Sequence, residues 1–343
     1  MQLKAKKIKN KHSHRNKYKR IKDINTKMNK KKTVRKASSK KKVTKKTHKK
    51  KWTKQNTNNI IRDIKKLKIQ GATNIAKTAL KVLHNEYLLN KDPAHINEIL
   101  NRLQRTRPTE PMMRNSLKYY LHLVKKKNEN PAEAYKKIKN YYDYSERKVA
   151  YFGSQLIKDG KTYFTHCHSS KVMSIFKKAR ESKLFRVFNT ETRPLFQGRI
   201  TAKELGNAGI PVVHFPDSGA RVALKECEAM FIGCDAITND AEAYNKIGSE
   251  MFAEIARSQR KKVYICTSSW KLDPYTFFGF DEEIEKRYEK EIWKNPPRGV
   301  IIVNYAFEKI KSTKITGIIS EFGILTPKQF VKIAKKRNKW MFE

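Results

Sequence analysis

The chain has few acidic residues, few cysteines and no long apolar segment. Its 32 Asp and Glu residues stand against 78 Lys and Arg residues, and the formal net charge at pH 7 is +46. The four cysteines form no CxxC pair, so the sequence indicates neither a zinc site nor a disulfide framework and favours a reducing, cytoplasmic location. Because no apolar run reaches about 18 residues and none follows the first residues, we expect neither a membrane span nor a signal peptide.

Several motifs of common enzyme classes are also missing. There is no Walker P-loop, no GxGxxG and no serine nucleophile elbow, which argues against nucleotide hydrolysis, NAD chemistry and serine hydrolysis. His166 and His168 alternate at the end of a predicted strand, but no acidic or cysteine partner is spaced to complete a metal site. We therefore expect solvated or hydrogen-bonded roles for both histidines and no metal.

The positive charge is concentrated at the N-terminus. Residues 1–55 contain about 25 Lys or Arg against the single acid Asp23, so the rest of the chain carries about +22, from 46 − 24. A segment with so few apolar residues cannot bury enough surface to offset its chain entropy, and we predict a disordered Lys-rich tail at 1–57. Its lysine runs suit non-specific contacts with nucleic acid. A solvated extension without a partner is the alternative.

The remaining sequence predicts an α/β protein with two domains. Apolar residues at helical spacing, interrupted at Asp92-Pro93, Arg107-Pro108 and Asn130-Pro131, predict a helical domain at 58–157. Residues 158–343 alternate short β-rich and helical runs, which predicts a Rossmann-like, doubly wound, mainly parallel sheet. The predicted strands are 162–165, 185–189, 212–215, 230–232, 263–267, 300–303 and 317–320. The predicted helices between them include 169–181, 202–208, 220–226 and 245–258.

Reactive side chains follow the predicted strands, where sheets of this kind bind ligands. Cys167 lies after the first strand and before a helix, two features that lower a thiol pKa. The alternative is a small buried apolar side chain. Asp235 follows the apolar run that ends at Ile232, which is expected to half-bury its carboxyl group. Burial suits a carboxyl group to general acid catalysis, and a helix N-cap is the alternative role.

Several stretches resemble one protein family from about Asn58 to near the C-terminus. They are Thr165-His166-Cys167-His168-Ser169, Glu191-Thr192-Arg193-Pro194, Gln197-Gly198, Ile200-Thr201-Ala202-Lys203-Glu204-Leu205 and Asn245-Lys246-Ile247-Gly248. The family contains archaeal ribose 1,5-bisphosphate isomerases, methylthioribose 1-phosphate isomerases and the regulatory subunits of eukaryotic initiation factor 2B. The Thr165–His168 stretch is most similar to the bisphosphate isomerases.

The resemblance implies conversion of ribose 1,5-bisphosphate to ribulose 1,5-bisphosphate in nucleoside and AMP salvage. It implies Cys167 as proton acceptor and Asp235 as proton donor, without a metal or organic cofactor. It also implies a dimer-based homo-oligomer such as a hexamer. The substrate contacts that it implies are Gln70, Gly71, Ala72, Thr73, Arg107, Ser169, Asn245, Lys246 and Lys271.

The sequence departs from the isomerase pattern in three places, the first of which is the loop Gln70-Gly71-Ala72-Thr73, where the pattern is Arg-Gly-Ala-Gly. Gln70 stands where these isomerases usually have Arg, which removes a charge-assisted phosphate contact. Asp240-Ala241 replaces an Asn-Gly pair, and the added carboxylate is expected to repel a phosphate. Ser249 replaces Thr. Two alternatives therefore stay open: a non-catalytic sugar-phosphate or nucleotide sensor with a translation or RNA partner, and a methylthioribose 1-phosphate isomerase.

Overall fold

Prolines and capping residues divide the first part of the chain into helices. The computed structural model describes residues 52–281 and 284–343. The first helices are α1 (Lys54–Lys65), α2 (Ala72–Leu89), α3 (Pro93–Gln104), α4 (Pro111–Leu121) and α5 (Pro131–Gln155). The Asn130 side chain caps α5 by accepting the Ala132 N–H at 2.9 Å, directly before Pro131. The predicted helical region is confirmed, and none of the described helices is long and apolar enough to cross a membrane.

Helix α1 begins inside the segment that was assigned to the Lys-rich tail. Thr53 and Asn56 form a capping box: Thr53 Oγ1 accepts the Asn56 N–H at 3.3 Å, and Asn56 Oδ1 accepts the Thr53 N–H at 2.9 Å. Trp52 packs on the helical core and donates its Nε1–H to Thr57 Oγ1 at 3.0 Å. Residues 52–57, which were assigned to the tail, therefore belong to the helical part of the chain. The predicted disorder of residues 1–51 lies outside the described residues.

The helices join the rest of the chain around Trp270. The Asn115 side chain donates to the carbonyl oxygens of Trp270 and Leu272, each at 2.9 Å. The Tyr141 ring stacks on the Trp270 indole with centroids 3.9 Å apart. These contacts fix Lys271, which lies between the two bonded carbonyl groups, against the helical layer.

The larger sheet has seven strands, and six of them are parallel. Its strands are β1 (Thr162–Thr165), β2 (Arg186–Thr190), β3 (Val212–Phe215), β4 (Ala229–Ile232), β7 (Lys262–Cys266), β9 (Gly317–Ser320) and β10 (Gly323–Leu325). Their order is β10-β9-β7-β4-β1-β2-β3, with only β10 antiparallel to its neighbour. The chain starts at β1 in the middle and winds to both sides, so the predicted doubly wound sheet is confirmed.

Helices cover both faces of this sheet. They are α6 (Ser170–Arg180), α7 (Gln197–Asn207), α8 (Ala220–Lys225), α9 (Ser249–Ser258) and α10 (Pro327–Arg337). Alternate strand residues enter different apolar cores: Phe164 and Met230 lie in one, whereas Tyr163 and Phe231 lie in the other. Burial of both faces explains why these strands are continuous apolar runs in the sequence.

Two local predictions differ from the structure. Residues 300–303 form no strand; they lie in an irregular segment in which Ile301 is 88% exposed. Asn245 and Lys246 end a strand instead of starting a helix. This strand, β6 (Ala243–Lys246), pairs with β5 (Ala236–Ile237) and β8 (Phe307–Ile310) in a small antiparallel sheet. Gly248, with a φ of +98°, separates β6 from α9, since its left-handed conformation breaks both elements.

Candidate active site

A cavity of about 380 Å³ lies at the carboxyl ends of β1, β4 and β7. Its wall includes every residue predicted from the sequence to act on or bind a substrate. These residues are Gln70, Gly71, Ala72, Thr73, Arg107, Cys167, Ser169, Asp235, Asn245, Lys246 and Lys271. The fold thus brings together residues that are up to about 200 positions apart in the chain, and their roles stay predictions.

Cys167 is held in a left-handed backbone conformation at the end of β1. Its φ is +65°, which is unusual for a residue other than glycine. Its N–H donates to Thr192 Oγ1 at 2.9 Å, and its carbonyl oxygen accepts the Thr201 hydroxyl at 2.7 Å. Two buried threonines from neighbouring segments therefore fix the backbone that carries the thiol at the cavity wall.

The expected lowering of the Cys167 pKa is wrong. Burial raises the pKa of the thiol to about 11, and the nearby Lys246 ammonium opposes this shift without cancelling it. Helix α6 begins only at Ser170, so Cys167 lies outside the first turn, where the helix dipole acts most strongly. The thiol therefore keeps its proton at neutral pH.

His166 connects the Cys167 loop to the segment that follows β6. Its Nε2–H donates to the Ile247 carbonyl oxygen at 2.9 Å, and the Thr190 hydroxyl donates to Nδ1 at 2.7 Å. Burial lowers the pKa of His166 to about 4, so the ring is neutral at pH 7 and fits this donor–acceptor pattern. The predicted hydrogen-bonded role is confirmed for His166. It also holds for His168, whose Nδ1 lies 3.0 Å from Thr201 Oγ1.

Asp235 is half-buried at the cavity wall between β4 and β5. Its N–H donates to the Tyr244 carbonyl oxygen at 2.7 Å, within the small antiparallel sheet. A strand follows Asp235, so the alternative role as a helix N-cap is wrong. The Asp235 carboxylate is also one of the charges that raise the pKa of Cys167. The thiol and this carboxyl group therefore act on each other across one cavity.

The loop 70–73 brings backbone donors to the opposite part of the wall. Gly71 has a φ of +83° and precedes α2, whose first N–H groups have no intrahelical acceptor. The exposed Gln70 side chain is turned back, with Nε2–H donating to the Leu67 carbonyl oxygen at 2.8 Å. Free amides at a helix N-terminus attract anions. The loop can thus bind an anionic group through its backbone without the charge that an arginine would add.

Two neighbouring strand ends supply further polar contacts. A Cβ atom on Gly233 would lie 2.6 Å from Ser169 Oγ, so only glycine leaves room for the serine side chain.

Asn245 Nδ2 donates to Ser249 Oγ at 2.8 Å, and Ser249 Oγ donates to the Lys246 carbonyl oxygen at 2.6 Å. The Ser249 hydroxyl at the start of α9 therefore connects the Asn245 side chain to the Lys246 backbone.

The profile of the initiation factor 2 subunit family matches residues 68–327. The chain belongs to this family. It is 34% identical over 306 residues to the ribose 1,5-bisphosphate isomerase of Methanocaldococcus jannaschii, covering 84% of this chain and 98% of that protein. It is 32% identical over 304 residues to the enzyme of the same name from Thermococcus kodakarensis, covering 82% and 94%. The structure of Pyrococcus horikoshii OT3 translation initiation factor eIF-2B superposes with a TM-score of 0.72 at 25% identity, covering 81% of this chain and 100% of that one.

This member of the initiation factor 2 subunit family has cavity residues that the sequence analysis missed. They are Lys77, Glu110, Glu146, Lys171, Glu285, Arg287, Glu291 and Asn304. Lys171 directly follows the Cys167–Ser170 stretch, and Glu110 follows Arg107-Pro108-Thr109, so their positions gave a usable signal. Residues 285, 287, 291 and 304 had no such sequence signal, because the segment that contains them is irregular.

The departure at Asp240 lies outside the cavity wall. Asp240 is exposed and does not line it, whereas the adjacent Ala241 is buried in a tight turn with a φ of +61°. The structure therefore places Asp240 outside the cavity wall, and its repulsion of a phosphate stays a prediction. The departure at Gln70 does lie at the cavity and stays relevant to binding.

Proposed function

We propose that this chain is an isomerase that converts ribose 1,5-bisphosphate to ribulose 1,5-bisphosphate. The observation that carries the proposal is the convergence of the Cys167 thiol and the Asp235 carboxyl group on one cavity whose wall also contains lysine and arginine side chains. The names of the relatives from M. jannaschii and T. kodakarensis support the same substrate.

Phosphate recognition is assigned to cations and backbone amides. Arg107, Lys246 and Lys271 line the cavity, together with the amides at Gly71 and the Ser169 hydroxyl. Lys171 adds a buried ammonium group whose Nζ donates to Ser145 Oγ at 3.2 Å. Charge-assisted hydrogen bonds from such groups are the strongest that a protein offers a phosphate.

The first chemical step is the opening of the ribose ring. The phosphate on the anomeric carbon blocks the free aldehyde on which an ordinary aldose–ketose isomerase acts. The Asp235 carboxylic acid donates its proton to the ring oxygen, and the bond between that oxygen and C1 breaks. The half-buried position of Asp235 supports this role.

The second step moves a proton from C2 to C1. The Cys167 thiolate removes the C2 proton, which gives an enol phosphate, and protonation of C1 with loss of the C2 hydroxyl proton gives the ketone. Burial raises the pKa of Cys167, so only a small fraction of the protein carries the thiolate at neutral pH, and the Lys246 ammonium stabilises this reactive form.

A non-catalytic sensor is the second candidate. It is favoured by two features: Gln70 is hydrogen-bonded to its own loop, and Arg107 is paired with the two carboxylates of Glu110 and Glu285. Both weaken phosphate binding relative to a site with free cations. The presence of Cys167 and Asp235 in one cavity favours catalysis.

One NMR assay separates the candidates. The purified protein is incubated with ribose 1,5-bisphosphate or with methylthioribose 1-phosphate, and the product is followed by phosphorus and carbon spectra. We expect conversion of the bisphosphate alone, and no conversion by a folded Cys167→Ser variant. Conversion of only methylthioribose 1-phosphate would show that the chain is instead a methylthioribose 1-phosphate isomerase. Binding of the bisphosphate without turnover by the wild type would favour the sensor.

We further propose a dimer-based homo-oligomer in the cytoplasm, with a Lys-rich N-terminal segment that contacts nucleic acid. Exposed apolar side chains cluster between residues 278 and 303 and support assembly. They include Phe278, Phe280, Tyr288, Trp293 and Ile301. The four cysteines, free in the structure, fit a reducing compartment.

A further inference from the structure

Glu110 is a buried carboxyl group in the cavity that the proposed chemistry does not use. It precedes α4 but makes no side-chain cap to that helix, and it is only 2% exposed. Its Oε1 lies 3.3 Å from Arg107 Nη2. Its Oε2 is buried without a hydrogen-bond partner among the described residues. A buried carboxylate oxygen without a donor is costly, so the ionised state of Glu110 depends on Arg107.

Charged groups from four parts of the fold surround Glu110. Arg107 lies on the same loop, Asp235 follows β4, Lys271 follows β7, and Glu285 belongs to the irregular segment. Burial raises the pKa of Glu110 to about 7, Asp235 adds to this shift, and Arg107 and Lys271 oppose it. Glu110 therefore exchanges its proton close to neutral pH.

Arg107 lies between two carboxylates that differ in their other partners. Its Nε lies 3.3 Å from Glu285 Oε2 as well as near Glu110. Glu285 also pairs with Arg287, at 3.0 Å between Oε1 and Nη1. Glu285 thus keeps a cation when Arg107 moves, whereas Glu110 would lose its ion pair and retain the weaker effect of Lys271. Arg107 can leave Glu110 at low cost only when Glu110 takes up a proton.

We propose that Glu110 couples substrate binding to proton uptake. When Glu110 is protonated, it releases Arg107 to a substrate phosphate; when it is ionised, it retains Arg107 in an ion pair. This inference rests on the proposed function, since it assigns Arg107 to a phosphate of the sugar. The proton comes from solvent and stays on the Glu110 carboxyl group while the substrate is bound. Glu110 is in this sense a positioning residue, because it acts through Arg107.

The coupling predicts a specific pH dependence of substrate affinity. Above pH 7 the Michaelis constant of the wild type rises by up to about tenfold per pH unit, because binding must first protonate Glu110. Glu110→Gln has the same size but no charge to hold Arg107. We expect this variant to keep at pH 8 the low Michaelis constant that the wild type has at pH 6, so the mutation improves binding at the higher pH.

Calorimetry on Cys167→Ser protein measures the proton directly. Ribose 1,5-bisphosphate is titrated at pH 8 in two buffers of different ionisation enthalpy, which yields the number of protons bound. We expect Glu110→Gln on this background to take up about one proton fewer than its parent. The phosphate, with a second pKa of about 6, and Lys171, whose pKa burial lowers to about 8, contribute to both proteins and cancel in the difference.

Glu291→Gln is the matched control. Glu291 also lines the cavity, but its two oxygens are bonded to Arg287 at 2.7 Å and Asn304 at 3.2 Å, so its substitution should leave the proton count unchanged. Equal proton uptake by the parent and a folded Glu110→Gln protein would overturn the inference. So would the absence of proton uptake by the parent, which decides the matter even if Glu110→Gln does not fold.

The failure of the proposed function looks different. If ribose 1,5-bisphosphate does not bind the parent, that function is wrong, and the same titration with inorganic phosphate tests the coupling alone. Uptake that disappears in Glu110→Gln then supports the inference. Uptake that persists overturns it.

Discussion

The Cys167 N–H donates to Thr192 Oγ1 at 2.9 Å, and this bond connects two residues that are both in left-handed backbone conformations. Thr192 has a φ of +63°, is fully buried, and donates its own N–H to Asp217 Oδ1 at 2.9 Å. Conformations of this kind persist only where the surroundings hold them. The loops after β1 and β2 therefore position the thiol together.

We expect Thr192→Val to reduce the turnover number by about tenfold or more and to destabilise the protein by about 1–3 kcal/mol. Valine matches threonine in shape but leaves the Cys167 N–H without an acceptor. Urea unfolding measures the stability, and steady-state assays measure turnover. Thr192→Ser keeps the hydroxyl and should retain most of the activity. Unchanged turnover in Thr192→Val would show that this bond does not position the thiol.

Alkylation of Cys167 should be slow at neutral pH. Burial raises the pKa of the thiol to about 11, so the reactive thiolate is a small fraction at pH 7 and increases about tenfold per pH unit until pH approaches 11. Peptide mapping after timed iodoacetamide treatment measures the rate. Cys167→Ser removes the signal from this peptide. A rate that levels off near pH 8 would contradict the raised pKa.

Asp235→Asn should keep substrate binding but lose turnover by several orders of magnitude. The amide has the size of the carboxyl group but cannot protonate the ring oxygen. Binding is measured by calorimetry and turnover by NMR. A variant that loses affinity but keeps its maximal rate would assign Asp235 to substrate contact instead.

The sheet could be predicted from the local sequence, and so could the position of Cys167 and Asp235 in one cavity. Parallel strands buried on both faces read as continuous apolar runs, and the carboxyl ends of such strands share one edge of the sheet. Asp235 was placed correctly by the apolar run that ends at Ile232. The strand predicted at 300–303 failed because an apolar run does not show whether another segment covers it.

The charge states could not be read from the sequence. The pKa values of Cys167 and Glu110 depend mainly on burial by segments that are distant in the chain. The ion pair between Arg107 and Glu285 joins two residues that are far apart in the chain. Sequence position alone therefore favoured thiolate at Cys167, whereas packing favours thiol.

Gln70→Arg should lower the Michaelis constant about two- to fivefold, which corresponds to about 0.5–1 kcal/mol. The gain is modest because residue 70 is exposed and its charge is screened by solvent. Gln70→Met, which is similar in length and uncharged, also loses the hydrogen bond to the Leu67 carbonyl and serves as the control. Equal improvement in both variants would mean that release of the loop, rather than charge, is responsible.

Removal of residues 1–51 should leave turnover, the Michaelis constant and the melting temperature unchanged. Trp52 packs on the helical core and Thr53 caps the first described helix, and both residues remain in this shortened protein. Removal of residues 1–57 should instead lower stability, since loss of a cap costs about 1 kcal/mol and the Trp52 contacts are lost as well. Melting curves of the two proteins test this difference.

The same shorter deletion tests the nucleic-acid contact proposed for the N-terminal segment. Residues 1–51 carry most of the chain's concentrated lysine runs, so their removal should weaken RNA binding and reduce its dependence on salt. Binding should be independent of RNA sequence, because lysines contact phosphates rather than base edges. Affinities are compared by fluorescence anisotropy from about 0.05 to 0.2 M salt. Since the rest of the chain is itself basic, the comparison between the two proteins is decisive. Equal affinity and equal salt slopes would show that the segment is a solvated extension without a nucleic-acid role.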